Sequence, residues 1–498
     1  LSGRLNVDQK VNEFVRAGAT VFAQRENSDY QVYDGNILNS NVLYGLLTYD
    51  PTVPVYNLDG SYGRPPGGRG DNPVANLNER QNELVRDKIN GNMFLEIKPI
   101  KNLTARMDAG VDVVHQFEGT YLPRPTFQGG IDNGVATNTD YSSTHHLFDV
   151  FLTYQKDINE NHSFSLMAGY SHEKTTTESR SMSSRGFSTD LFSFNNLDAA
   201  STITGIASGK AENLLISYFG RANYSFNNKY LFTFTLRSDG SSRFGSENRR
   251  ALFPSGSFAW RLKEESFLKD NEFFSDLKFR FGYGKTGNDG VGNYDQFALV
   301  RNTHVTFDGS NNVAGTHLNQ NTPENPSLKW ETTSQTNIGL DMSFFDSRLT
   351  ATVDAYFKKT TDLLISRNLP SYSGFTAGQS NVGSLENKGF ELELNSKNMV
   401  GEFKWETSIN FGRNTNKIIS LGGESDIHLQ SSKPAGFVSE EDIAIISEGK
   451  PLGSMYGYKY LGVIQSGESY APQPDAKPGD PKFEDVSGDG LINSDDRT

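Results

Sequence analysis

Apolar and polar residues alternate along most of the chain with a period of two. In KYLFTFTLRS (229–238), the even-numbered positions from Tyr230 to Leu236 are apolar, and the odd-numbered positions from Thr233 to Arg237 are polar. Side chains alternate between the two faces of a strand, so this pattern predicts a strand with one apolar and one polar face. Roughly fifteen such segments occur, most of them about 9 to 13 residues long.

The length of these segments favours a membrane-spanning barrel. Strands of globular proteins usually run to about 5 or 6 residues, whereas a tilted strand that crosses a bilayer needs about 9 to 11. The polar faces carry Arg, Lys, Asp, Glu and Asn, which suits a wet lumen, and many apolar stripes end in an aromatic residue, which suits a membrane interface. We therefore predict an all-β fold, a transmembrane antiparallel β-barrel. A soluble β-sandwich is the alternative that the pattern alone leaves open.

The connections between the segments alternate in length. Short turns are predicted near 98–102, 156–161, 227–228, 346–347 and 396–401. Long loops rich in Gly, Asn and Ser are predicted at about 25–89, 115–145, 173–212, 239–252, 286–332, 359–385 and from 414 onward. Bacterial outer-membrane barrels have short periplasmic turns and long extracellular loops, so we expect the long loops to face outside.

These features predict one partial barrel over residues 1–498. It would contain about fifteen strands of a larger plugged barrel. Within it, residues 414–498 form a long extracellular loop region. An open sheet edge cannot remain in lipid, so the strands that complete the barrel are expected from residues outside this sequence.

Composition excludes several classes of protein. The net charge of −13 and a pI near 5.2 argue against a nucleic-acid binder, which would normally carry a basic face. Cysteine is absent, so disulfides, zinc–thiolate sites and cysteine nucleophiles are excluded from these residues. The mean hydropathy of −0.55 is compatible with a barrel, whose strands alternate apolar and polar side chains.

Several segments closely resemble the SusC/RagA-type TonB-dependent outer-membrane transporters. They occur in the family's order and extend over nearly the whole chain. The segments are TYDPTVPVYNLDGSYG (48–63), SYFGRANYSFNNKYLFTFTLRSDGSSRFGSENRRALFPSGSFAWRL (217–262), LKFRFGYGKTGNDGVGNYDQF (277–297), NPSLKWETTSQTNIGLDMSFFDSRLTATVDAYFKKTTDLL (325–364), NVGSLENKGFELELN (381–395) and PLGSMYGYKYLGVIQ (451–465).

The resemblance implies a plugged barrel of about 22 strands in the outer membrane of a Gram-negative bacterium. It also implies a SusD-like surface lipoprotein that closes over the mouth, and import of an oligosaccharide or peptide powered by the TonB complex. Dimers of transporter–lipoprotein pairs are expected. The TonB box and plug of such transporters are not found in these 498 residues, so the sequence cannot itself demonstrate energy coupling.

The last residues, DVSGDGLINSDDRT (485–498), have the spacing of an EF-hand-type calcium loop. Counted from the first Asp, oxygen-bearing side chains fall at positions 1, 3, 5, 9 and 12, and Gly490 falls at position 6. The candidate Ca²⁺ ligands are Asp485, Ser487, Asp489, Asn493 and Asp496 through side chains and Leu491 through its backbone carbonyl.

The alternative to a calcium site is a turn-rich loop in which the Asp and Asn side chains accept hydrogen bonds from nearby backbone N–H groups of the same loop. The proline-rich flank 467–483 excludes the first helix of an EF-hand, so a bound ion would be structural.

We predict no enzymatic activity and assign neither catalytic residues nor an organic cofactor. GYGKTG (282–287) satisfies a glycine-rich nucleotide motif, but no helix is predicted after it, so a strand leading into a tight glycine turn is the preferred interpretation. Two functional alternatives remain open at this stage. One is a passive porin-like or adhesive outer-membrane barrel, and the other is a secreted calcium-dependent carbohydrate-binding β-protein.

Overall fold

The computed structural model describes residues 1–30, 42–64, 72–306, 312–318, 323–375, 377–423, 426–430 and 442–498. The strands within these ranges are β1 (Ser2–Lys10), β2 (Val15–Asp29), β3 (Gln81–Ile100), β4 (Leu103–Leu122), β5 (Val135–Asn159), β6 (His162–Phe187), β7 (Ala200–Phe226), β8 (Tyr230–Ser241), β9 (Arg250–Arg261), β10 (Phe274–Asn288), β11 (Val300–Thr306), β12 (Asn312–Leu318), β13 (Glu331–Phe344), β14 (Leu349–Thr361), β15 (Leu364–Asn368), β16 (Ala377–Asn381), β17 (Ser384–Val400), β18 (Lys404–Ser420), β19 (Ile427–Gln430), β20 (Asp442–Ile446), β21 (Ser454–Met455), β22 (Tyr460–Val463) and β23 (Pro481–Phe483).

Helices are few and short in the described residues. The α-helices are α1 (Val42–Thr48), α2 (Pro73–Glu79) and α3 (Phe127–Asp132), and short 3₁₀ helices lie at Ser193–Asn195, Leu197–Ala199, Leu262–Glu264, Ser371–Ser373 and Ser494–Asp496. Over the ranges given above, none of the helices has the length and apolar character required to cross a membrane.

A single antiparallel sheet of 14 strands forms the wall of the molecule. Its order is β1-β2-β3-β4-β5-β6-β7-β8-β9-β10-β13-β14-β17-β18, so each strand pairs with the wall strand that precedes it in the chain. The expected all-β barrel wall is confirmed, with one strand fewer than the roughly fifteen expected from the alternation. The remaining described strands form small separate sheets, β11-β12, β15-β16, β19-β20-β21 and β22-β23.

The two faces of the wall differ as the alternation predicts. On β10, Phe281 is 41% exposed on the apolar outer face, whereas its neighbour Arg280 points to the polar inner face, where it meets acidic side chains of β13 and β14. An outer face of exposed apolar residues is stable in contact with lipid, and a charged inner face needs water or paired charges.

Tight turns and aromatic residues occupy one end of the wall. In the three-residue connection between β7 and β8, Asn227 and Asn228 adopt positive φ angles of 51° and 52°, and Lys229 N donates a hydrogen bond to Phe226 O at 3.0 Å, as in a type I′ turn. Beside this turn, the ring of Tyr230 stacks on those of Phe226 and Trp260, with centroids 6.1 Å away in both cases. Aromatic side chains of this kind suit the boundary between lipid and water.

Several predicted loops are partly strand. Residues 135–145, 173–187 and 200–212, expected in long loops, extend β5, β6 and β7 to between 25 and 27 residues. About 9 to 11 residues suffice to cross the bilayer, so these strands continue beyond it. The loop prediction was wrong there because the extensions are rich in Ser, Thr and Gly and lack an apolar stripe.

The region expected as a long loop from residue 414 begins later. β18 continues to Ser420, so the segment that follows the wall starts at residue 421. Its described parts contain β19 to β23 and the short helix Ser494–Asp496, and are therefore partly structured. The motif GYGKTG is likewise not a turn, because all of it lies inside β10.

Candidate functional site

The inner face of the wall carries a charged network near its short-turn end. Arg280 donates hydrogen bonds from Nε and Nη2 to the two carboxylate oxygens of Asp341, both at 2.8 Å, and Nη2 also lies 2.9 Å from Asp354 Oδ2. Lys278 Nζ lies 3.7 Å from the same Asp341 carboxylate. Two cations and two carboxylates thus neutralise one another across β10, β13 and β14.

Aromatic rings occupy the space beside glycines at three places on this inner face. Each ring belongs to a residue directly opposite the glycine on the neighbouring strand, and a Cβ on the glycine would collide with it. The pairs are Gly18 with Phe94, Gly169 with Phe219 and Gly389 with Tyr356. The glycines therefore make room for large side chains in a wall that has to remain closely paired.

A cation covers each of these rings. Arg106 lies 4.4 Å from the centroid of Phe94, Arg237 lies 5.3 Å from that of Phe219, and Lys358 lies 5.3 Å from that of Tyr356. Cations over aromatic faces are attracted to the ring quadrupole. Sequence reasoning missed these sites, since the glycine and its aromatic partner are far apart in the chain and become neighbours only through strand register.

The predicted calcium loop brings three of its six candidate ligands together. One carboxylate oxygen each from Asp485, Asp489 and Asp496 lies within 4.8 Å of the others. Ser487 and Asn493, two further candidate ligands, make hydrogen bonds to these carboxylates. The Asn493 amide nitrogen donates to Asp489 Oδ2 at 2.8 Å, and Ser487 Oγ donates to Asp485 Oδ1 at 3.3 Å.

Backbone amides also reach these carboxylates. Gly488 N and Gly490 N donate to the two oxygens of Asp485 at 2.7 and 2.9 Å, and Leu491 N donates to Asp489 Oδ1 at 2.8 Å. Such contacts are those of a self-capping loop, but Asp485 Oδ2 and both carboxylate oxygens of Asp489 each accept one of these hydrogen bonds and keep a second lone pair that a cation could use. The donor set of three carboxylates fits Ca²⁺, a hard cation that prefers oxygen.

Asp496 is the anchor of this loop. Its side chain is fully buried and accepts hydrogen bonds at 2.9 Å from the backbone N–H groups of Ser487 and Asn493. These donors hold the pKa of the Asp496 carboxyl below its usual value, so it stays ionised. Asn493 in turn caps the short helix Ser494–Asp496 by accepting from Asp495 N at 2.8 Å.

Loop aromatics that could have contacted a ligand are engaged in loop packing. Tyr56 and Tyr62 pair as an isolated bridge with ring centroids 5.3 Å apart. Tyr49 donates a hydrogen bond from its hydroxyl to the backbone oxygen of Gly63 at 2.8 Å. The side chain of Tyr44, in the same predicted loop (25–89), lies outside the described residues.

The chain resembles known proteins over its whole length. Residues 22–445 match the family model described as TonB dependent receptor-like, beta-barrel. The chain is 35% identical to TonB-dependent receptor P3 of Formosa agariphila over 99% of its own length and 50% of that protein. It is 32% identical to TonB-dependent receptor SusC of Bacteroides thetaiotaomicron, over 91% of the chain and 46% of that protein.

A solved structure agrees with these relatives. The RagAB peptide transporter matches with a TM-score of 0.83 and 28% identity, over 100% of this chain and 54% of the matched one. The chain spans about half the length of the curated relatives it matches. The continuous antiparallel wall and these matches together place the chain in the TonB-dependent receptor-like β-barrel family, as part of a SusC/RagA-type barrel of the outer membrane of a Gram-negative bacterium.

Proposed function

We propose that the protein imports a bulky nutrient, an oligosaccharide or a peptide, across the outer membrane, powered by TonB and assisted by a SusD-like lipoprotein lid. The observation that carries the proposal is the wall itself, whose inner face is lined by paired charges such as Arg280 with Asp341. A charged, hydrated inner face suits passage of polar solutes and does not suit contact with lipid.

A peptide cargo is favoured by one comparison. The RagAB structure, which covers the whole of this chain, is titled as a peptide transporter. An oligosaccharide remains the alternative cargo, because sugars can be bound by the hydroxyl, amide and aromatic groups that are common in the long loops.

The test is uptake by the full-length protein in its native cells. Labelled peptide and oligosaccharide mixtures are supplied to cells with and without the gene, and again after TonB is depleted. We expect gene-dependent uptake of one mixture to disappear when TonB is depleted. Uptake that persists without TonB would support a passive porin instead, and gene-dependent surface attachment without uptake would support an adhesin.

The lid is tested separately. Native mass spectrometry of the full-length protein, extracted from outer membranes in mild detergent, should record a co-purifying lipoprotein and bound sugar or peptide masses. A barrel that carries neither a lipoprotein nor a cargo in this experiment would contradict the proposed assembly. Recovery of the protein from the culture medium and not from membranes would favour a secreted carbohydrate-binding protein.

Calcium has a structural role in this proposal. An ion held by Asp485, Asp489 and Asp496 would stiffen the segment that follows the wall, without taking part in transport. The support for it is the clustering of three ionisable oxygens around a loop with the EF-hand spacing.

A further inference from the structure

Arg250 lies on the outer, lipid-facing side of the wall. It is the first residue of β9 and pairs with Gly240 of β8, which has the same strand parity as the apolar stripe from Tyr230 to Leu236. Side chains two positions apart share a face of a strand, so Arg250 shares its face with Leu252, which is 57% exposed. A cation therefore borders a surface that otherwise consists of exposed apolar side chains.

The length of β9 places Arg250 at a boundary of the membrane. At the short-turn end of β9, Trp260 stacks on Tyr230 among the aromatic rings that mark the opposite boundary. From Arg250 to Trp260 the strand advances by about 33 Å, which at a tilt of about 40° is a height of about 25 Å. The apolar band of outer-membrane barrels has this height, and their long loops are extracellular. Arg250 thus lies level with the headgroups of the outer leaflet.

The side chain of Arg250 lies along the sheet. A Cβ on Gly240 would be 3.2 Å from Arg250 Cγ and 3.4 Å from Cζ, so the side chain crosses the space that this glycine leaves open. The guanidinium carbon lies 5.1 Å from the centroid of the Tyr218 ring on β7, beyond the intervening strand β8. Attraction to the ring quadrupole holds the charge on the lipid-facing surface.

The charge of Arg250 differs from that of other outer-face cations in having no carboxylate beside it. Lys174 Nζ lies 3.2 Å from Glu212 Oε2, and Arg25 Nε lies 3.0 Å from Asp87 Oδ1. Across the described residues, no acidic side chain lies within ion-pair distance of the Arg250 guanidinium, which contacts the ring of Tyr218. An arginine remains charged at every physiological pH, and a charge beside an apolar surface is costly unless it is paired. The missing partner is an anion.

Neighbouring rings supply further donors on the same face. The Tyr170 ring on β6 lies beside that of Tyr218, with centroids 5.4 Å apart, and His172 is the next residue of β6 on this face. Phenol hydroxyls and a neutral imidazole can each donate a hydrogen bond. A guanidinium binds two oxygens of a phosphate at once, so one fixed cation surrounded by neutral donors suits a phosphate group.

We infer that Arg250, Tyr218, Tyr170 and His172 form a binding site for the phosphate of a lipid headgroup in the outer leaflet. The position of the site favours a lipid as the source of the phosphate. Headgroups lie at this height, and the hydrocarbon chains of the same lipid would lie against the apolar stripe of β8 and β9. The inference requires only the outer-membrane setting of the chain and is independent of cargo and TonB.

The test is lipid binding to the full-length protein in mild detergent, measured by native mass spectrometry. The probes are dioleoyl phosphatidic acid and dioleoylglycerol, which has the same acyl chains but no phosphate. Arg249→Gln is the matched control for Arg250→Gln, because Arg249 is an exposed arginine one position earlier in the chain. We expect Arg250→Gln alone to bind phosphatidic acid about fivefold more weakly than the parent, as expected for one cation at a lipid surface. Binding of dioleoylglycerol should be equal in all three proteins.

A second variant separates the position of the charge from its presence. Gly240→Leu keeps Arg250 but fills the space that its side chain crosses, so the guanidinium should leave Tyr218 and binding of phosphatidic acid should fall. Gly256→Leu is its control on the same face of β9, because a Cβ there would meet Phe234 at 3.8 Å, an ordinary contact. We expect Gly256→Leu to bind as the parent does.

Four results would overturn the inference. They are equal binding of the two lipids by the parent, unchanged phosphatidic acid binding in Arg250→Gln or Gly240→Leu, an equal loss in either control, and displacement of phosphatidic acid by an equal concentration of inorganic phosphate. The last result would assign the site to free phosphate and not to a lipid headgroup.

Discussion

The backbone N–H of Ser487 donates a 2.9 Å hydrogen bond to the buried carboxylate of Asp496, nine residues later in the chain. This contact closes the final loop and places Asp496 beside Asp485 and Asp489. The negative charge of Asp496 is stabilised by backbone donors, so the loop does not need an ion to hold that one carboxylate in place.

The pH dependence of the loop follows from Asp496. Its pKa is lower in the folded loop than in the unfolded chain, so its stabilising effect is complete above its unfolded pKa of about 3.9 and is lost as the pH falls through the lower folded value. We expect an acid-active protease to spare residues 485–496 at about pH 5 and to cut them at about pH 2. With Asp496→Asn the loop should be cut at both pH values. Protection unchanged by this substitution would contradict the anchoring role.

Calcium binding is tested at Asp489. Asp489→Ala should reduce calcium affinity about tenfold or more, because one of the three clustered carboxylates is removed. Asp495→Ala is the control, since Asp495 lies in the same loop but outside the cluster. Calorimetric titration of the full-length protein with Ca²⁺, in the presence of Mg²⁺, measures the affinity. Equal calcium affinities for the parent and both variants would contradict a calcium site formed by these carboxylates.

Replacement of Arg280 should weaken the wall. Arg280→Met leaves the carboxylates of Asp341 and Asp354 without their shared donor, and we expect the free energy of unfolding to fall by about 1 to 3 kcal/mol. Arg221→Met is the comparison, because Arg221 donates a single 3.3 Å hydrogen bond to Thr235 and is more exposed. Urea unfolding of the full-length barrel in lipid vesicles measures both. A loss no larger for Arg280 than for Arg221 would mean that the network is not stabilising.

The glycines beneath aromatic rings should not tolerate a Cβ. Gly169→Ala places a methyl group against the ring of Phe219, and overpacking of this kind typically costs about 1 to 3 kcal/mol. Gly282→Ala is the matched control on β10, because nothing lies within 4 Å of the position a Cβ would occupy. The same urea unfolding compares the two variants. Adding Phe219→Leu to Gly169→Ala should restore part of the lost stability, because the smaller side chain leaves room for the methyl group. If stability is not restored, the destabilisation does not come from a collision with the Phe219 ring.

Much of the fold was predictable from residue order. The alternation from Tyr230 to Leu236 predicts β8 and its two faces, and β8 indeed runs from Tyr230 to Ser241. The alternation identifies strands where one face meets lipid. It did not identify the first part of β7, residues 201–210. Both faces of the strand are exposed to water there, so a polar side chain on either face carries no desolvation penalty and no apolar stripe is needed.

The candidate sites were only partly predictable. Spacing alone identified Asp485, Asp489 and Asp496, because a loop of this length brings them together locally. Spacing did not reveal that Asn493 is used as a helix cap, which depends on the short helix that follows it. The proposed roles of calcium, lid and cargo remain predictions.

Residue order is enough to predict antiparallel strands with one apolar and one polar face, because side-chain direction alternates with a period of two residues. It does not predict which residues meet across neighbouring strands, such as Gly169 with Phe219 or Arg280 with Asp341. Those pairs depend on the register between strands. A slip of one residue would preserve the local preference for a strand but exchange every cross-strand partner, and the choice is made by the packing of all strands together.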